Sequence, residues 1–145
     1  MTTSSSKAHW NGDLKGGSGQ MIVGPDRYEG PFTFASRFEG SGDATNPEEL
    51  LAAAHAGCFS MALSNILASD GHTPDEVRTE ATITLGKVDD EPAITEIALA
   101  TVGKVPGIDE ATFTEYAQKA KDGCPVSKLF AGGTAEITLE VTFES

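Results

Sequence analysis

Apolar and polar positions change period along the chain, and each change predicts an element. From His9 to about Phe38 alternation dominates. Gly16-Gly17-Ser18-Gly19 and Gly24-Pro25-Asp26 interrupt it, so strands and turns are expected, with Phe32, Phe34 and Phe38 on one face. Residues 1–8 are expected to be frayed. The loop Gly40-Ser41-Gly42-Asp43-Ala44 leads into a segment with helix-start signals. Thr45 or Asn46 suits the cap, Pro47 the first helical position, and Glu48 and Glu49 complement the positive end of the dipole. This helix is predicted to reach Ser69-Asp70-Gly71, where Gly71 can adopt the left-handed conformation that ends helices.

Alternation then returns. Val77, Thr79, Ala81, Ile83 and Leu85 face one way and Arg78, Glu80, Thr82 and Thr84 the other. Residues 93–102 are the expected hairpin partner, across Asp89-Asp90-Glu91-Pro92. A second long helix is predicted from Asp109 to Gly123, and a short one from Cys124-Pro125 to the break at Gly132-Gly133. In the last strand Ala135, Ile137, Leu139, Val141 and Phe143 point inward, opposite Glu136, Thr138, Glu140, Thr142 and Glu144. No repeat, linker or low-complexity tract interrupts this order. One α+β domain over residues 1–145 is expected, an antiparallel sheet packed on two main helices.

Composition narrows the function. Ten Lys and Arg against 22 Asp and Glu give a net charge of −12, which repels nucleic acid and anionic lipid. Neither a nucleic-acid nor a membrane role is expected. Residues 1–6 carry no charged flank followed by an apolar run, and no stretch is expected to match the roughly 18 apolar residues of a membrane span. A cytoplasmic, reducing setting follows as an expectation, where transient disulfides are commoner than lasting ones.

The chemistry then centres on two cysteines. On a helical wheel Cys58 lies close to Leu51 and Asn65 and is flanked by Ala54 and Ala62, a mostly buried stripe. Apolar surroundings raise a thiol pKa, so a reactive Cys58 needs a cation. Arg27 falls in a turn, and Arg78 alternates with acidic neighbours on an outward face. Arg37 interrupts the aromatic stretch 32–38 and is the candidate to turn inward, although a surface place opposite the phenylalanines fits the pattern equally. An inward arginine needs a carboxylate. Glu48 and Glu49 are both near enough, and dipole complementarity accounts for both as well.

Distance adds a constraint. Glu48 and Cys58 are ten residues apart on one helix, about 15 Å along its axis. A homodimer solves this if two copies of the helix cross antiparallel near Ala52-Ala53-Ala54, where small side chains allow close approach. Cys124 stands at a helix start before Pro125, with Lys121 and Lys128 near in sequence, a setting that lowers a thiol pKa. Electrostatics alone makes Cys124 the stronger nucleophile. In either order, a thiolate attacks a peroxide, a sulfenic acid forms, and the second thiol condenses to a disulfide. A zinc site from His55, Cys58 and Cys124 is a weaker alternative, because His9 and His72 stand in no ligand-spaced pair.

The segment TNPEELLAAAHAGCFSMALS at residues 45–64, followed by CPVSK at 124–128, resembles the OsmC/Ohr family, the osmotically inducible and organic hydroperoxide resistance proteins. The resemblance extends over nearly the whole chain, through AHWNGDLKGGSG at 8–19, RFEG at 37–40, VPGID at 105–109 and AEITLEV at 135–141. The opening, the RFEG and the valine of CPVSK favour the OsmC branch.

The resemblance implies an intertwined homodimer with the OsmC-like fold and active sites at its interface. It implies a cytoplasmic thiol peroxidase that acts on organic hydroperoxides and more weakly on hydrogen peroxide. A dithiol recycles it, a lipoylated protein being one candidate, and no metal, flavin or haem cofactor is needed. By position it makes Cys58 the peroxidatic cysteine and Cys124 the resolving one. Arg37 becomes the arginine that stabilises the thiolate, and Glu48 the carboxylate that holds it. Gly57 departs from the alanine common beside the cysteine. A non-enzymatic redox sensor or small-molecule binding protein of the same fold is the alternative, since fold does not fix function.

Overall fold

Alternation sets much of the first fifty residues into strands, but it stops earlier than the phenylalanine pattern suggests. The computed structural model describes residues 1–145, which form two compact units, Met1–Leu50 and Leu51–Ser145. The first unit holds an antiparallel sheet of β1 (Lys7–Asn11), β2 (Ser18–Val23) and β3 (Tyr28–Thr33), in that order. Pairing starts at Lys7, opposite Ile22, inside the stretch expected to fray. Trp10 and Phe32 both pair with Gly19, so their rings meet at 5.2 Å.

The expected aromatic strand ends at Thr33, and α1 (Phe34–Phe38) begins there. Ser36 N donates to Thr33 Oγ1 at 3.1 Å and Thr33 N donates to Ser36 Oγ at 2.9 Å, a reciprocal cap that starts a helical turn. Phe34 and Phe38 then stack at i, i+4 with centroids 4.9 Å apart. Arg37 thus stands in the last turn of a short helix, not on a strand face. After the glycine-rich loop, Asn46 Oδ1 accepts from Glu49 N at 2.8 Å and caps α2 (Pro47–Ser69).

Phe59, Leu63 and Leu67 recur on one face of α2 and are fully buried. Ala53, Ala54, Gly57 and Met61 on another face are exposed. The helix ends as expected, with Gly71 at φ 86° and His72 N donating to Leu67 O at 2.9 Å. The expectation that no stretch reaches the character of a membrane span needs correction. Averaged over 18 residues, α2 attains a mean hydropathy of 1.5 and is long enough to cross one. Length and composition do not separate such a segment from a core helix, and Phe59, Leu63 and Leu67 belong to the core here.

The second unit carries β4 (Glu76–Val88), β5 (Glu91–Lys104) and β6 (Glu136–Glu144) in that order. The β4–β5 turn is tighter than predicted. Val88 pairs with Glu91, leaving only Asp89 and Asp90 in the turn, at φ 51° and 65°. A second correction concerns β6, which runs parallel to β5 where an antiparallel sheet was expected. The crossover between them holds α3 (Glu110–Gly123) and α4 (Pro125–Phe130), and a parallel pair requires such a connection.

Asp109 caps α3 by accepting from Thr112 N at 2.9 Å. Phe113, Ala117 and Ala120 of α3 join Phe59, Leu63, Leu67, Leu99, Val105 and Cys124 in one buried cluster. Burying each large apolar side chain there contributes about 1.5–3 kcal/mol. The inward set of β6 packs partly buried against it. The fold is α+β, with two three-stranded sheets and four helices.

Candidate active site

In the first unit, α1 sets the guanidinium and the first turn of α2 sets its carboxylate. Arg37 Nε and Nη2 both donate to Glu48 Oε1, at 3.1 and 2.8 Å. The Glu48 side chain is only 8% exposed, against 38% for Arg37. The guanidinium carbon also lies 5.4 Å from the Phe38 ring centroid. Glu49 does a different job, accepting from Thr45 Oγ1 at 3.0 Å and Asn46 Nδ2 at 3.4 Å beside the helix cap. The residue pattern leaves the two carboxylates level and the resemblance points to Glu48, and Glu48 is the one bonded to Arg37.

In the second unit the two sulfurs meet. Cys58 lies on α2 and is partly exposed, while Cys124 is fully buried. Their Sγ atoms are 3.0 Å apart, within S–H···S reach, so a proton on either one bridges to the other. Pro125 brings this about by disfavouring helical dihedrals in the residue before it. Cys124 accordingly takes φ −59° and ψ 127°, closing α3 through N–H···O to Ala120 at 2.8 Å and opening α4 through Lys128 N to its own carbonyl at 2.9 Å.

The two thiols are biased in opposite directions. Burial pushes Cys58 up, and the bond to Cys124 adds to this, while the Val126 amide works against it. Burial opposes ionisation of Cys124 too. There the Cys58 thiol, the amide and hydroxyl of Ser127 and the Val126 amide outweigh it, and the net shift is downward. Electrostatics within this unit therefore favours the negative charge on Cys124, but only Cys58 is open to an incoming molecule.

Next to the sulfurs lies a group that sequence reasoning only half found. His55 is fully buried, and its Nε2 is 2.7 Å from Ser127 Oγ. Its Nδ1 has no partner, and Phe130 stands edge-on with centroids 5.4 Å apart. Burial lowers the His55 pKa and keeps the ring neutral. The signal for Ser127 was its place three residues after Cys124, one turn into the short helix. No three His, Cys, Asp or Glu side chains come together as a group that could hold a metal ion. An apolar depression of about 190 Å³, lined by Leu51, Ile83, Ile94, Ile97 and Leu129, shares Phe130 with this group.

A partly exposed thiol thus lies against a buried one on an α+β frame. The chain belongs to the OsmC-like protein family, whose family model matches residues 40–140. It is 49% identical to peroxiredoxin OsmC of Escherichia coli strain K12 over 140 residues, covering 96% of this chain and 95% of that one. It is 35% identical to an organic hydroperoxide resistance protein of Xanthomonas axonopodis pv. citri over 99 residues, covering 68% and 67%. Among solved structures, an organic hydroperoxide resistance protein from Elizabethkingia anophelis superposes with a TM-score of 0.79 at 23% identity, covering 99% of both chains. One from Legionella pneumophila gives 0.77 at 21% identity, covering 98% of this chain and 99% of that one. At such identity these two structures speak for the fold.

Proposed function

We propose that the protein is a peroxiredoxin-type thiol peroxidase that reduces organic hydroperoxides, and hydrogen peroxide more weakly, in the cytoplasm. The observation that carries this reading is the 3.0 Å approach of a partly exposed Cys58 sulfur to the buried Cys124 sulfur. Only Cys58 is open to substrate, so it is the attacking thiolate despite the electrostatic bias toward Cys124. Its sulfur takes the distal oxygen of R–O–OH. The O–O bond breaks, the alkoxide picks up a proton and leaves as alcohol, and Cys58 becomes a sulfenic acid. Cys124 then attacks that sulfur, the S–O bond breaks, and water leaves as the disulfide forms. A dithiol, with a lipoylated protein as candidate, returns both thiols.

Arg37, held by Glu48, supplies the cation that a thiolate on Cys58 needs. The reading joins Arg37 to Cys58 across a homodimer in which two copies of α2 cross. The exposed small residues Ala53, Ala54 and Gly57, with Met61 beside them, support that crossing. The names of the relatives, peroxiredoxin and organic hydroperoxide resistance protein, support the substrate class.

The test is consumption of cumene hydroperoxide, beside hydrogen peroxide, by reduced protein with dihydrolipoamide, for the parent and Cys58→Ser, with sedimentation of the same samples. Many turnovers that favour the organic peroxide, vanish in Cys58→Ser and come from a dimer are expected. One stoichiometric oxidation that then stops would replace the peroxidase with a sensor, and full activity from a monomer would remove the composite site.

A further inference from the structure

The proposed chemistry leaves His55 unused, although it is fully enclosed and bonded at one nitrogen only. A neutral imidazole carries its proton on Nδ1 or on Nε2. On Nδ1 the proton would be a buried donor without an acceptor, an arrangement rare in folded proteins. On Nε2 only an acceptor lone pair goes unmet, which costs less. Nε2–H therefore donates to Ser127 Oγ across the 2.7 Å contact. The serine hydroxyl then keeps its own proton for a further acceptor.

Register points to Cys124 Sγ as that acceptor. His55 precedes Cys58 by three residues on α2, and Ser127 follows Cys124 by three on α4, so the sulfur pair and the His–Ser pair form two rungs between the same two helices. Ser127 is 3% exposed and its hydroxyl favours the charged form of Cys124. The edge of Phe130 packs on the imidazole and restrains its plane.

We propose that His55 is a positioning residue for the second cysteine: by donating to Ser127 it turns the hydroxyl proton toward Cys124 Sγ and holds that sulfur ready to attack. The proposal rests on the peroxidase reading, in which Cys124 forms the S–S bond as the S–O bond of the Cys58 sulfenic acid breaks. The departing hydroxide takes the bonding pair and gains a proton to become water. The titratable groups around this rung are His55 and Cys58 from α2, Lys121 and Asp122 from the end of α3, and Lys128 from α4. The lysines and Asp122 share a pocket with Ser127 and stay constant in the test.

Three substitutions separate the donor from mere filling of space. His55→Phe keeps a ring but removes the N–H, His55→Gln restores an N–H near the place of Nε2, and Ser127→Ala removes the hydroxyl. The first readout needs no peroxide: the ultraviolet absorbance of the Cys124 thiolate against pH, in a Cys58→Ser background. Its midpoint should rise by about one pH unit, a tenfold loss of thiolate, in His55→Phe and Ser127→Ala, and return toward the parent in His55→Gln.

The second readout is rapid mixing of protein containing both cysteines with cumene hydroperoxide. Sulfenic acid should form at the parent rate, while disulfide closure slows by about tenfold. An unmoved midpoint in Ser127→Ala overturns the proposal even if His55→Phe fails to fold. Rise of the midpoint without rescue by His55→Gln assigns His55 to packing and overturns it too. A parent protein that forms no sulfenic acid overturns the peroxidase reading, and with it the role in attack, whereas the titration judges the His55–Ser127 link by itself.

Discussion

Gly57 stands one residue before the accessible thiol, on the exposed face of α2, where an added methyl group would meet open space. Glycine inside a helix costs about 0.8–1 kcal/mol relative to alanine. Gly57→Ala should therefore raise the melting temperature by roughly 2–4 °C, measured by calorimetry on the reduced protein. A fall instead would mean that a neighbour packs on this face in the assembled protein.

At this scale the sequence was informative about residue types and less so about their partners. The two cysteines, the arginine and an acidic neighbour could all be named from it. The residue pattern leaves Glu48 level with Glu49, and only the resemblance points to Glu48. The physical reason is the phase of α2 relative to the turn bearing Arg37, set as Asn46 caps through Glu49 N. Ser127 was missed because its spacing, three residues after Cys124, gains meaning only when its hydroxyl is seen against a buried imidazole.

At the scale of elements, strand β5 and helix α3 meet where Phe113 lies over Gly103. The ring occupies the space that any Cβ at Gly103 would need. Gly103→Ala should lower stability by about 1–3 kcal/mol in urea unfolding, because an overpacked strand–helix contact must shift backbone. An unchanged midpoint would show that Phe113 swings aside freely. Hydrophobic alternation identified β4, β5 and β6, and the faces that β4 and β6 present, yet it says nothing about strand direction. That was decided by the crossover through α3 and α4, which carries the chain back so that β6 runs with β5. Alternation also carried the aromatic stretch too far. The Thr33–Ser36 reciprocal cap, a three-residue spacing readable in the sequence, overrode it and turned residues 34–38 into a helix.

For the molecule as a whole, a charge of −12 sets what approaches it. Each copy repels another, so the proposed homodimer should form more readily in salt that screens the repulsion. The helix that looks long and apolar enough for a membrane is legible as two faces only once its core side is known.

The 3.0 Å between the sulfurs has a further consequence, for endurance. Closing them to a covalent bond of about 2 Å moves each atom by roughly half an ångström, so neither helix has to unwind. A second peroxide, which would carry Cys58 on to an irreversible sulfinic acid, must arrive before that short step is over. As a peroxidase, the protein should resist inactivation by its own substrate, with mass spectrometry finding little Cys58 sulfinic acid after many turnovers in excess hydroperoxide. Removal of Cys124 should cancel the protection, and a parent protein that overoxidises as fast as that variant would show that closeness alone does not protect it.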